Sequence, residues 1–337
     1  MTKTFFVSGV AGFLGSHIAD SLIAEGHRVI GVDNMIGGYL ENVNSKVDFH
    51  QIDLINRDAL VPLLEGVDII YHCAATAYEG LSVVSPHLVS QNVYGITVSL
   101  LSAAAANRIK RFVHCSSMAR YGTQETVPFT EDMTPKPQDP YGIAKLAAED
   151  QVRCISQIHG MEYVIAVPHN IIGSRQKYDD PYRNVASIMI NLMLQGRQPF
   201  IYGDGEQKRC FSFVEDVVQP LLAMAEAPNV VGEVINIGPD EEFVTINHLA
   251  GLIARITNFG PLDPVHMPGR PQEVKHATCS ADKARRLIGY NTTTTLEEGL
   301  AEMCAYIRKR GAKDFLYHLD LEIVNEKTPR TWLDRLM

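Results

Sequence analysis

The run Val7-Ser-Gly-Val-Ala-Gly-Phe-Leu-Gly15 constrains the fold more than any other stretch of the chain. It sets glycines at 9, 12 and 15 between a short apolar strand pattern and a helical one. In a strand–turn–helix of this kind, backbone amides at the helix start can approach a pyrophosphate closely. The spacing is Gly-x-x-Gly-x-x-Gly, not the commoner Gly-x-Gly-x-x-Gly, and glycines alone also serve turns and close helix packing. Context decides for a dinucleotide, because Asp33 ends the next strand, 21 residues after Gly12. A carboxylate there accepts hydrogen bonds from the adenosine ribose hydroxyls and repels a 2′-phosphate, which favours NAD over NADP. Asp53, in His50-Gln-Ile-Asp-Leu54, ends another strand, where it either meets the adenine amino group or caps a helix. Phe13 and Leu14 inside the glycine turn, Asn34 after Asp33 and Leu54 after Asp53 complete the expected contacts on this side.

Strand patterns at residues 5–7, 28–32, 67–71, 111–114 and 163–167 alternate with helical ones at 15–24, 58–64, 88–106 and 141–159. Such alternation predicts an α/β fold, a Rossmann-type doubly wound parallel sheet covered on both faces. Ligands of these sheets bind beyond the carboxyl ends of the strands. After residue 170 the pattern loosens into Pro, Gly and Asp-rich stretches with helices at 184–195 and 246–256. The expected division is therefore an NAD-binding domain over 1–169 and a smaller α/β substrate-binding lobe over 170–337. Segments near 209–240 return to the main sheet, with 234–237 as the returning strand.

Composition narrows the function. At 337 residues and 46% hydrophobic content the chain can bury a large core. A net charge of −9 argues against a broad basic surface for nucleic acid. The cysteines at 73, 115, 154, 210, 279 and 304 show no close pairing and no metal-ligand spacing, and several read as small core residues in a reducing cytoplasm, so no metal is expected. The N-terminal apolar run is too short and Gly-interrupted for a signal peptide, and no later stretch reads as an uninterrupted membrane span.

Tyr141 and Lys145 stand four apart at the start of a helix announced by Asp139-Pro140, so both side chains share one face. A tyrosine with a pKa near ~10 is a poor base at neutral pH, and a nearby ammonium favours its phenolate. The cationic nicotinamide ring of NAD would push the same way.

With both motifs in order, the chain resembles the extended short-chain dehydrogenase/reductase family over nearly its whole length. Between the motifs, Tyr71-His-Cys-Ala-Ala75, Asn92-Val-Tyr-Gly95 and Cys115-Ser-Ser-Met-Ala-Arg-Tyr-Gly122 resemble the family's cofactor loop, asparagine and serine segment. The resemblance implies cofactor contacts from Ala74, Ala75, Thr76, Asn92, Ser116, Tyr141, Lys145 and Pro168. It implies Ser117 as the catalytic serine, with Ser116 as the fallback. The second half is similar to the nucleotide-sugar epimerase/dehydratase branch. Asn170 with Gly173 and Arg175-Gln176 resembles a family segment, with His169 and Ser174 as departures. Phe200-Ile-Tyr-Gly-Asp-Gly205 resembles the strand framing the nucleotide base, while Arg209 and Arg270 are similar to diphosphate arginines. Guanidinium forks suit phosphate oxygens. Substrate contacts are implied from Ser117, Met118, Tyr141, Asn170, Asn184, Val185, Phe200, Tyr202, Arg209, Arg270 and Ala277.

This scaffold implies oxidation at C4 of the sugar, with Tyr141 taking the hydroxyl proton. A 4,6-dehydratase of the family carries Asp-Glu directly after the serine, and its decarboxylases usually carry Glu at the second place; here Met118 and Ala119 stand there. An epimerase needs no further acid or base, only room for the 4-keto sugar to turn. The pattern is therefore nearest to UDP-glucose and UDP-N-acetylglucosamine 4-epimerases. A 4,6-dehydratase, a decarboxylase, a 4-dehydrogenase, a C2 or C3,C5 epimerase and a non-catalytic NAD(H) redox sensor remain alternatives. Family analogy implies a homodimer seamed by helices 88–106 and 141–159, and Ala277, seven after Arg270, as a small residue admitting N-acetyl groups. Arg120, where relatives carry an aliphatic residue, either contacts substrate or points to solvent.

Overall fold

A computed structural model describes residues 2–337. Six parallel strands form the first half: β1 (Thr4–Ser8), β2 (Arg28–Asp33), β3 (Asp48–Gln51), β4 (Ile69–His72), β5 (Arg111–Cys115) and β6 (Glu162–Pro168). A seventh, β7 (Val234–Ile237), returns from the second half to pair with β6. The order is β7-β6-β5-β4-β1-β2-β3, every pairing parallel. Chain direction along the sheet reverses between β1 and β4, the switch point at which such sheets open a crevice. β5 is buried along its whole length because helices cover both faces.

Helices α1 (Phe13–Ala24), α2 (Arg57–Leu63), α3 (Pro86–Ala106) and α4 (Pro140–His159) supply those layers. Asp139 caps α4 by accepting from the Gly142 amide at 2.9 Å, and Pro140 at its first position needs no hydrogen-bond partner. Helix α3 begins two residues earlier than the periodicity suggests and holds a π turn at Gln91–Gly95. By length and composition α3 is also apolar enough to cross a membrane, and half of its apolar window is buried inside the protein. β3 stops at Gln51, so Asp53 lies beyond the strand end, not on it.

In the second half, α5 (Val185–Leu194) packs with helices Ile246–Thr257 and Leu296–Arg310 around Met189, Ile190, Leu249, Ile253, Leu300 and Met303. Very short strands complete this lobe. Phe200–Tyr202 pairs with Val265–Met267, and Lys208–Arg209 lies between Val244–Thr245 and His276–Ala277. Residues 312–337 then run back across both halves. The Leu316 amide donates to Asp179, the Ile323 amide to Val84, and the Trp332 indole to the Pro181 carbonyl. The Glu322 carboxylate accepts from the His87 and Leu88 amides, at 2.9 and 2.7 Å, and so caps the N-terminus of α3.

Arg120 does neither of the things its sequence context allowed. It is buried, paired to the fully enclosed Glu149 at 2.9 Å and stacked 5.0 Å from the Tyr121 ring centre.

Candidate active site

A cavity of about 440 Å³ opens over the carboxyl ends of β1, β4, β5 and β6. All the residues singled out for cofactor and substrate lie on its wall. One side belongs to the sheet. Gly9 has φ +73°, and a Cβ there would meet the Ala74 backbone at 2.9 Å; one on Gly15 would press into the Gly9 carbonyl at 2.2 Å. The turn is therefore folded tightly on itself and on the Ala74 loop. Gly12 precedes α1 without a side-chain cap, so the first amides of the helix face the cavity without one.

Asp33 is held by the Ala11 amide at 3.0 Å and the Met35 amide at 2.8 Å. Burial raises its pKa, and these amides oppose the rise. Asn34 donates to Asp53 at 3.2 Å, which couples the two expected adenosine contacts. Asn92 lies in the π turn, its carbonyl accepting from Thr76. Anion-ready amides, a fixed carboxylate and glycine-limited clearance form a cradle of the shape and polarity a dinucleotide requires.

Ser117, Tyr141 and Lys145 lie between the two sides. Ser117 caps the turn Met118–Arg120 by accepting from the Ala119 amide at 3.2 Å. Ser116 is instead committed to Glu149, at 2.5 Å, which removes it as the fallback. Lys145 donates to the Cys115 carbonyl at 2.7 Å and sits 5.9 Å from the Tyr141 ring centre. Burial pushes its pKa down to about 8, against the pull of Cys115, Cys73 and Glu149. Burial likewise raises Tyr141 above its ordinary value; a hydrogen bond from Ser117 lowers it, Glu79 and Asp139 raise it further, and Arg183 lowers it. Burial is the largest of these influences and works against the phenolate. A cation entering the cavity would pull the other way.

The other side belongs to the lobe. Arg209 and Ala277 are register partners on adjacent two-residue strands. The Arg270 guanidinium lies 4.9 Å from the Tyr202 ring centre. Arg270 and Arg209 share Glu273, at 2.9 and 3.5 Å, so one carboxylate offsets two guanidiniums. Burial lowers the Arg209 pKa. Asn184 caps α5 through Ala186 at 2.9 Å, and with Val185 brings that helix N-terminus to the cavity. Asn170 donates to the Cys210 carbonyl at 2.9 Å beside Met118; Phe200 completes the wall.

Several wall residues had no motif to announce them. Glu79 opens a four-residue helix and Arg183 stands in a loop; Trp332 and Met337 come from the tail. Their only sequence signals were a lone carboxylate near the Ala74-Ala75 loop, an arginine beside Asn184 and the single tryptophan of the chain.

Residues 5–238 match the NAD dependent epimerase/dehydratase family. The chain belongs to that family. A UDP-glucose 4-epimerase from Mycolicibacterium smegmatis is 32% identical over 314 residues, 90% of this chain and 98% of the relative. A UDP-N-acetyl-alpha-D-glucosaminuronate decarboxylase from Bacillus cytotoxicus is 30% identical over 326 residues, 92% of this chain and 99% of the relative. Among solved structures, a UDP-glucuronic acid 4-epimerase from Bacillus cereus, in complex with UDP-glucuronic acid and NAD, superposes with TM-score 0.85 at 29% identity, covering 91% of this chain and all of that one. The family is NAD-dependent and works on nucleotide-sugars; its members differ in what they do to the sugar.

Proposed function

We propose that the chain is a UDP-hexose 4-epimerase. The observation that carries this reading is the pair Met118 and Ala119, both buried on the cavity side of Ser117, where neither can donate or accept a proton. Elimination across C5 and C6 needs a proton taken and a hydroxyl protonated, whereas inversion at C4 needs one base that later serves as acid. Tyr141 is that group, with Ser117 orienting the C4 hydroxyl toward it and Lys145 holding the helix face and the positive charge beside it. NAD, when bound on the glycine turn, Asp33 and Lys145, supplies reversible oxidation and reduction at C4. Arg209, Arg270 and the N-terminus of α5 hold the diphosphate. With those anchors fixed, the 440 Å³ cavity and the small Ala119 leave room for the sugar to present its other face.

The test is NMR of the product from UDP-glucose and UDP-N-acetylglucosamine, with NADH followed in parallel. The reading expects the C4 epimer with no net NADH and no requirement for added cofactor. NADH accumulating in proportion to product, or carbon dioxide released from a UDP-uronate, would overturn it.

A further inference from the structure

The epimerase reading leaves unexplained a carboxylate inside the cavity. Glu79 opens the short helix Glu79–Ser82, whose backbone is held by the Ser82 hydroxyl donating to the Glu79 carbonyl at 2.7 Å. The preceding Tyr78 is locked to Asp180 at 2.6 Å. Gly80, the next residue, packs closely enough that a Cβ would stand 3.3 Å from both Arg270 and Trp332. The position is thus fixed on three sides while the side chain itself lies open to the cavity. Among the described residues its carboxylate has no hydrogen-bond or ion-pair partner.

Its neighbours on the wall locate it. Gly80 beside it stands against Arg270, and Tyr141, Asp139, Arg209 and Glu273 line the same cavity. A hexose whose C4 hydroxyl meets Tyr141 and whose C1 diphosphate meets the two arginines must lie between those groups, with Glu79 beside its ring. Enclosure raises the Glu79 pKa, and Asp139 adds to the rise, while the arginines oppose it. Arg209 and Arg270 thus favour the ionised carboxylate of Glu79.

We infer that Glu79 makes the sugar pocket accept rings that present hydroxyl or ammonium groups and reject uronic acids. This rests on the proposed nucleotide-sugar site. A carboxylate at C6 would bring a second negative charge against Glu79, and selectivity by such repulsion needs no new attractive contact. It would separate this chain from relatives of the same fold whose substrate carries that carboxylate.

The experiment compares UDP-glucose and UDP-glucuronic acid in the wild-type holoenzyme, in Glu79→Gln and in Glu79→Ala. Both kcat/KM and calorimetric Kd are measured. Wild type should favour UDP-glucose by about a hundredfold, the scale of an unfavourable like-charge contact. In Glu79→Gln the ratio of UDP-glucuronic acid to UDP-glucose should rise at least about tenfold, by kcat/KM and by Kd alike. An unchanged ratio in both variants would overturn the inference. So would loss of turnover with both sugars in folded, NAD-loaded variants, which would make Glu79 an acid–base group. Should wild type epimerise neither sugar, the function reading fails separately, and the Kd ratio still decides the role of Glu79.

Discussion

The two walls of the cavity are made differently. On the sheet side the chain meets the dinucleotide cradle with backbone: glycine clearance, helix amides and one carboxylate pinned by two amides. On the lobe side the wall is side chains set on two-residue strands, a helix N-terminus and a returning tail. Backbone geometry tolerates little variation, so it suits a cofactor shared by a whole family. Side chains on short strands can be exchanged without disturbing a sheet, so they suit a substrate that differs between relatives. The chemistry proposed for this site falls where the walls meet, at Ser117, Tyr141 and Lys145.

The sharpest way to break this division is Tyr141→Phe. Removing one hydroxyl at the junction should lower turnover by about a hundredfold or more while NAD content and thermal unfolding stay near wild type. Near-normal turnover would remove the junction from the mechanism, and a large loss of NAD would show that the walls are not separable there.

A smaller effect is expected from Ala277→Tyr, which fills the lobe wall beside Arg209. Turnover of UDP-N-acetylglucosamine should fall about tenfold more than that of UDP-glucose, through steric exclusion. Equal losses with NAD retained would mean that Ala277 does not gate substrate size.

The smallest effect belongs to the tail. Glu322→Gln keeps the acceptor but removes the charge at the N-terminus of α3, and should cost about 0.5–1 kcal/mol of stability. Denaturant unfolding reads that shift; a loss several times larger would make the tail a structural keystone of the sheet half as well as of the lobe.

How much of this was legible follows the same division. Gly9, Gly12, Gly15, Asp33, Tyr141 and Lys145 sit in local patterns whose spacing dictates a strand end or a helix face, so the sequence displays their geometry directly. Arg209, Arg270 and Ala277 came through resemblance, since an isolated arginine says nothing of its partner 60 residues away. Glu79, Arg183 and Trp332 were illegible because their neighbours are distant in sequence and their segments lack periodicity. Arg120 shows the converse. Its charge suggested substrate or solvent, and only the buried Glu149 explains it. The rise that burial imposes on the Tyr141 pKa was hidden as well. Charge balance inside a cavity depends on burial, which spacing does not report.

The course of the tail also bears on how the chain acquires its shape. Ser85 bonds to Asp320 and His87 to Glu322 across 235 residues of sequence, loops whose closure is among the costliest the chain makes. A chain growing from its N-terminus has the glycine turn and β1 to β6 in hand by residue 168, whereas the wall formed by Trp332 waits until that residue is made. The cradle for the cofactor is thus available long before the sugar compartment can close, and bound dinucleotide would stabilise the sheet half during that interval.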